Sequence, residues 1–371
     1  MGANPPKVHL FNPDNDLALA ANVANYTPPK NPRILRHDGA LLPLWWAGED
    51  DMVLVEKIED YDVLSRFCEK NYLSTKIVTS VPDYVRNECE GAPWGWSKYS
   101  REVLRRAGVA NLPSDEEIER MRNLSHRRTS IILSDMLNAQ FGITTPTEPF
   151  EVSSREEIRH LFSHHNNYVA KSPWSSSGRG VVDLSGMAMD VALKVATGVI
   201  TSQGSVILER PLSKILDFAM LFKSRKNVGV EYVGLSVFST DNNGAYLGNI
   251  VATEEQLESI LTQYITKEYN DKIKQSLEIC LSKLVSETYD GYLGVDMMIV
   301  NDGGKVTVAP TVELNLRMTM GVVAHHLAKR FGDGNLRKYF VGPKNMKNLG
   351  EKILPLIPEN LTQRFAFCLV E

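Results

Sequence analysis

Two neighbouring runs in the last third of this 371-residue chain constrain its fold most tightly. Gly294-Val295-Asp296-Met297-Met298-Ile299-Val300 is apolar but for one aspartate, and Val312-Glu313-Leu314-Asn315-Leu316-Arg317 alternates strictly between apolar and polar. Successive side chains of an extended strand point to opposite faces. Glu313, Asn315 and Arg317 therefore share one face, and Val312, Leu314 and Leu316 share the other. The polar face offers hard oxygen donors and a guanidinium. Mg²⁺ takes one or two carboxylates together with substrate phosphates, and an arginine fork holds an anionic oxygen. The plain alternative is a strand edge with solvated polar residues. If Asn301-Asp302-Gly303-Gly304 is the hairpin turn, Val300 faces Lys305 and Asp296 faces Ala309. Glu313 then lies four residues further on, ~13 Å along the strand, too far to share one ion with Asp296. A bulge around Ala309-Pro310-Thr311 would close that gap, because proline cannot donate to a ladder.

Upstream, the apolar run Tyr168-Val169-Ala170 ends in Lys171. A small-residue loop, Ser172-Pro173-Trp174-Ser175-Ser176-Ser177-Gly178-Arg179-Gly180, then leads into Val181-Val182. Small residues let backbone N–H groups and hydroxyls approach phosphate oxygens, and the lysine adds a point charge. The loop matches neither the P-loop nor the dinucleotide-binding glycine pattern. Between these two elements lies Val206-Ile207-Leu208-Glu209-Arg210-Pro211-Leu212, an apolar strand stopped by an acid and followed by a proline-containing linker. A second strand follows and begins near Asp217.

The order of these parts resembles the ATP-grasp superfamily: lysine before a Ser/Gly loop, strand-Glu-linker-Asp-strand, then GVD and ELNLR. The resemblance covers about residues 124–330. It implies an α/β N-terminal domain followed by an α+β ATP-grasp fold whose two lobes clasp the nucleotide. Lys171 is then assigned to the phosphates, with a catalytic part shared with Arg317, the anion-binding arginine. Ser175, Ser176, Ser177, Gly178, Arg179 and Gly180 become a flap over the phosphates. Glu209, Arg210, Pro211 and Leu212 become the adenine linker, and Asp217 the acid on the ribose hydroxyls. Asp296, Glu313 and Asn315 match the family's Mg²⁺ ligands, with Mn²⁺ as an alternative occupant. A further family lysine falls at His126-Arg127-Arg128-Thr129, where Arg128 takes its place.

The expected domains are 1–113 (α/β), 114–332 (ATP-grasp, with a lid lobe at about 145–212) and a tail, 333–371, without a readable role. Val8-His9-Leu10-Phe11, a turn through Asn12-Pro13-Asp14-Asn15-Asp16 and a helix start at Leu17 give the strand-turn-helix opening of an α/β unit. Ser97 caps a helix over 98–107, and Ser114-Asp115-Glu116-Glu117 opens another. At 43% hydrophobic residues the chain can bury a large core, and 41 basic against 45 acidic residues give no electrostatic case for nucleic acid or an anionic membrane. Cys68, Cys89, Cys280 and Cys368 lack metal-type spacing. No run approaches the ~18 apolar residues of a membrane span, and the start is too short in apolar residues for a signal peptide, so a cytoplasmic location is expected.

The resemblance implies a ligase that joins a small-molecule carboxylate to an amine, or a similar nucleophile, through an acyl phosphate made with ATP. A small-molecule kinase and a non-catalytic nucleotide-binding protein are the alternatives, and a homo-oligomer is compatible with either. Asn12, Asp14, Asn15 and Asp16 form the best polar cluster for an acceptor. A turn with a helix cap is the simpler explanation of them. Trp94-Gly95-Trp96 reads as packing, His325-His326 as helical rather than catalytic, and Lys223 and Arg225 either as phosphate contacts or as hairpin ends.

Overall fold

The computed structural model describes residues 5–163, 167–175, 178, 180–241, 244, 246–332, 334–344 and 352–371. The chain divides into two compact units, one of residues 1–122, 247–253 and 317–371, the other of residues 123–246 and 254–316. The first unit therefore gathers both ends of the chain. It takes in the tail 333–371, which has no readable role in the sequence, and the last part of the expected ATP-grasp segment, from Arg317 onward.

In the first unit four short strands run parallel, in the order Lys76–Val78, Met52–Leu54, Lys7–Leu10, Glu90–Pro93. The interior strand Met52–Leu54 is apolar and buried throughout, as a strand covered on both faces should be, whereas the edge strands Lys76–Val78 and Glu90–Pro93 each begin on an exposed charged residue. Val8 and Val53 are fully buried. The helix Lys98–Ala107 begins at the expected cap, where Ser97 and Ser100 bond reciprocally. The tail folds back as Arg337–Pro343, Ile353–Pro355 and Phe365–Val370, all antiparallel, and residues 248–251 pair with 337–340. Asp38, at the end of the helix Lys30–Asp38, accepts the backbone N–H groups of Gln363, Arg364 and Phe365 at 2.7–2.8 Å. Burial would raise its carboxyl group, but these three donors and His37 outweigh burial and lower it.

The second unit holds two antiparallel strand sets. The smaller runs Phe150–Val152, Val206–Glu209, Val169–Lys171, Val181–Asp183, backed by the helices Arg155–Phe162 and Met189–Gln203. Val206, Leu208, Ile158 and Phe162 form its core. The larger runs Lys305–Asn315, Gly291–Asp302, Ser213–Arg225, Gly229–Thr240. Phe218, Phe222 and Leu293 are fully buried there, each contributing about 2–3 kcal/mol of apolar burial.

The register of the last hairpin corrects the expected turn. Asp302 pairs with Lys305, so only Gly303 and Gly304 turn, both with positive φ (60° and 92°). Two consecutive left-handed residues make the tight turn that matches strand twist. This brings Asp296 two residues closer to Glu313 than a four-residue turn allows. The rest of the gap closes between Met298↔Ala309 and Asp296↔Glu313, where the strand Lys305–Asn315 carries two extra residues around Pro310. Asp296 and Glu313 are thus direct cross-strand partners.

Candidate nucleotide and metal site

Cross-strand partners on one face stand ~5 Å apart at Cβ. Asp296 faces Glu313, and Asn315, opposite Gly294, donates from Nδ2 to Asp296 Oδ2 at 2.9 Å. Two carboxylates and an amide therefore meet on the polar face that the alternation of residues 312–317 marks out. Among the described residues no group of three or more His, Cys, Asp or Glu is placed to hold a metal. The set here has two carboxylates and an amide, and its fit to Mg²⁺ rests on hard oxygen donors. Turning the Asn315 amide would present its oxygen beside Asp296.

Arg127, the neighbour of the residue to which the resemblance points, organises the region. It precedes the helix Arg128–Phe141 and is buried. Its Nη2 donates to Glu313 Oε1 at 3.0 Å and to Ser175 Oγ at 3.1 Å, and its Nε donates to the Ser172 carbonyl at 3.1 Å. One guanidinium thus joins the flap loop to the carboxylate strand. Arg128, given that place from the sequence, turns away: its side chain is half exposed, bonds to His126 and ion-pairs with Glu151 at 3.0 Å. Adjacent residues at a helix start point ~100° apart, so only one of the two faces the strand.

Lys171 and Glu209 lie diagonally on one face of the smaller strand set, since Lys171 pairs with Ile207 and Val169 with Glu209. They form a buried ion pair. Past Lys171 the loop closes through Ser172 N–H to the Gly180 carbonyl at 2.7 Å. Gly178 has φ 73°. A Cβ on Gly180 would stand 2.4 Å from Ser175 Cβ, so glycine is required where the loop folds onto itself. Ser176, Ser177 and Arg179 lie outside the described residues.

In the linker, Arg210 is clamped to protein. Its backbone N–H reaches the Thr147 carbonyl at 2.8 Å, its Nη2 the Pro146 carbonyl at 2.7 Å, and its Nη1 Asp302 at 3.0 Å. Pro211 and Leu212 are half-buried. Asp217 is buried and accepts from Lys214 Nζ at 2.7 Å and Thr240 Oγ1 at 2.8 Å. Arg225 pairs with Glu231 at an exposed hairpin end, and Lys223 Nζ lies 5.3 Å from the Tyr292 ring centre.

Arg317 falls in the first unit, where Asp16 takes its fork. Nε and Nη2 lie 3.0 and 2.9 Å from Asp16 Oδ2, and Nη1 reaches the Met318 carbonyl at 3.2 Å. A substrate anion would have to compete with that carboxylate. Asp14 in turn holds Arg36, and Asn12 donates to the Gly95 carbonyl at 2.9 Å. The polar cluster at 12–16 is thus engaged by distant partners, and Asp14, at the N-cap position of the helix Asn15–Ala21, makes no side-chain cap bond. Trp94 is buried against Phe11, ring centres 5.1 Å apart. His325 sits in the helix Met320–Arg330, where burial pushes it down to about 4 and keeps the imidazole neutral. No helix among the described residues is long and apolar enough to cross a membrane.

No protein-family model and no curated protein matches the sequence. Solved structures do match. The N5-carboxyaminoimidazole synthetase of Staphylococcus aureus superposes with a TM-score of 0.50 at 11% identity, over 100% of this chain and 95% of that one. An ADP complex of N5-carboxyaminoimidazole ribonucleotide synthetase gives 0.53 at 11%, over 100% and 93%. The biotin carboxylase domain of Hydrogenobacter thermophilus 2-oxoglutarate carboxylase, solved with MgADP, ADP and bicarbonate, gives 0.53 at 10%, over 100% and 86%. These neighbours are ATP-grasp enzymes, and at such identities the likeness speaks to the fold alone. The chain has an ATP-grasp-like, mixed α/β fold.

Proposed function

We propose that this chain is an ATP- and Mg²⁺-dependent ligase that joins a small-molecule carboxylate to an amine, or a similar nucleophile, with release of ADP and phosphate. The observation that carries the reading is the direct pairing of Asp296 with Glu313 beside the Asn315 amide, on a strand whose face also receives Arg127. Asp296, Glu313 and Asn315 would hold the Mg²⁺, which when bound neutralises phosphate charge. Lys171 and Arg127 supply positive charge for the phosphoryl oxygens, the first from the smaller strand set and the second from beneath the Ser/Gly loop. Phosphoryl transfer needs little covalent help from protein, because positioning and charge stabilisation do most of the work. Glu209 and Arg127's partner Glu313 keep these cations in place, so nucleotide phosphates would enter by sharing or replacing carboxylate partners. The linker Glu209–Leu212 would take the adenine, with Arg210 anchoring it, and Asp217 the ribose. Arg317 would bind an acidic group only by displacing Asp16.

The fold shared with ADP-bound synthetase and carboxylase structures supports nucleotide-dependent ligation as the general chemistry. The test is phosphate release from Mg·ATP across a pool of small carboxylates, amines and amino acids, with Lys171→Ala as control. Release that requires two pool members together is expected. A stable phosphorylated product without free phosphate would replace the ligase with a kinase, and tight nucleotide binding without turnover in any mixture would leave a binding protein.

A further inference from the structure

The first unit carries a cavity of about 490 Å³ that the nucleotide reading leaves unused. It opens at the carboxyl ends of the parallel strands, which supply Leu10, Leu54 and Ile77 to its wall, and Val103 of the helix Lys98–Ala107 closes it from another side. Open parallel sheets receive ligands at that edge, and a cavity of this size takes a small organic molecule. Its walls are mainly apolar, so its few polar groups decide the head group it accepts.

Two of its three permanent cations already have carboxylate partners. Arg36 is held by Asp14, with Nε at 3.2 Å from Oδ1, and its guanidinium lies 4.5 Å from the centre of the Tyr99 ring. Arg106 Nε lies 2.6 Å from Glu102. The acids at the mouth differ. Glu59 meets only the His37 imidazole, at 3.6 Å, and that ring also bonds to Asp38 at 3.0 Å. Glu56 stands near the Tyr99 hydroxyl, which burial raises and to which Asp14 and Glu56 add. Among the described residues neither Glu56 nor Glu59 is ion-paired with a lysine or arginine. Among the described residues Lys57, between them in the chain, is the one lysine or arginine of the lining without a carboxylate partner. Two carboxylates without a lysine or arginine partner thus stand exposed at the rim of an apolar cavity, beside one exposed lysine.

We propose that this cavity binds a small molecule with an apolar body and a protonated amine, the body resting on Leu10, Leu54 and Ile77 and the ammonium facing Glu56 and Glu59. As the class of the amine co-substrate the assignment rests on the ligase reading, whereas as a binding site it stands without it.

The test titrates the full chain calorimetrically with phenethylamine, phenethyl alcohol and hydrocinnamate, which share one apolar body and differ in head group. The amine is expected to bind tightest, with the alcohol about five-fold weaker, as half-exposed ion pairs allow, and the acid weaker still. The double variant E56Q/E59Q should bring the amine to the alcohol's affinity and leave the alcohol unchanged. Thr79→Trp, an exposed position at the mouth, should weaken all three. Equal affinity for the three probes, no amine binding, or binding indifferent to Thr79→Trp would overturn the assignment. Mg·ATP is titrated on the same protein: amine binding without nucleotide binding removes the ligase reading and keeps the cavity, and the reverse result does the opposite.

Discussion

Replacing Arg127 with methionine should destabilise the second unit more than any other single change at the carboxylate face. The guanidinium makes three side-chain bonds, to Glu313 at 3.0 Å, Ser175 at 3.1 Å and the Ser172 carbonyl at 3.1 Å. At 3.0 Å and an effective dielectric of about 20 the gross attraction to Glu313 is about 5 kcal/mol. Desolvation offsets more than half of this, because the Arg127 side chain is only 5% exposed while Glu313 is 28% exposed, which leaves about 2 kcal/mol. The two neutral bonds add roughly 1 kcal/mol each, so Arg127→Met should lose about 3–4 kcal/mol in urea unfolding. A double-mutant cycle with Glu313→Gln isolates the pair and should return a coupling of about 2 kcal/mol. Arg128→Met, whose side chain is half exposed, should cost under about 1 kcal/mol. A coupling below about 0.5 kcal/mol, or a larger loss for Arg128→Met than for Arg127→Met, would refute the placement of Arg127 as the bridge between loop and strand.

Other consequences are equally specific. Asp38→Ala strands three backbone N–H groups of the tail and should cost about 3–5 kcal/mol, read as faster proteolysis or hydrogen exchange at 363–365. Because the folded Asp38 carboxyl group lies below its ordinary value, its contribution is fully present above about pH 4 and is lost as pH falls through the folded value. NMR titration should show Asp38 still ionised where free aspartate has protonated. His325 acts in the same direction at higher pH: lowered to about 4, it is neutral in the folded state, so its linkage removes stability as pH falls from about 6.5 toward 4. His325→Gln should flatten that part of the stability-pH curve. Gly180→Ala forces a Cβ to 2.4 Å from Ser175 Cβ, so the loop must shift and the Arg127 bond to Ser175 weaken; a loss of about 1–3 kcal/mol is expected, with poorer nucleotide binding.

The parts of this molecule carried by local pattern were legible in the sequence. Alternation at 312–317 placed Glu313 and Asn315 on one face, and Ser97 marked its helix start. What stayed hidden depended on register or on distant partners. The Asp296 to Glu313 pairing needed a two-residue glycine turn and a two-residue bulge together, and four turn-forming residues in a row, 301–304, concealed which two turn. Arg127 and Arg128 are chemically identical neighbours, and only the facing of one helix start separates them. Arg317 meets Asp16 across 301 positions of chain, and Asp38 meets the tail across 325–327, separations that no periodicity reports. The tail's strands are held largely by such contacts, which is why weak periodicity there gave no reading.

The most direct test of the nucleotide site is calorimetric titration of ATP into the wild-type chain and into Glu313→Gln, with and without Mg²⁺. The geometry of Asp296, Glu313 and Asn315 predicts binding that Mg²⁺ strengthens in the wild type and a loss of most of that Mg²⁺ dependence in the variant. Absence of nucleotide binding, or a Mg²⁺ dependence unchanged by Glu313→Gln, would contradict it.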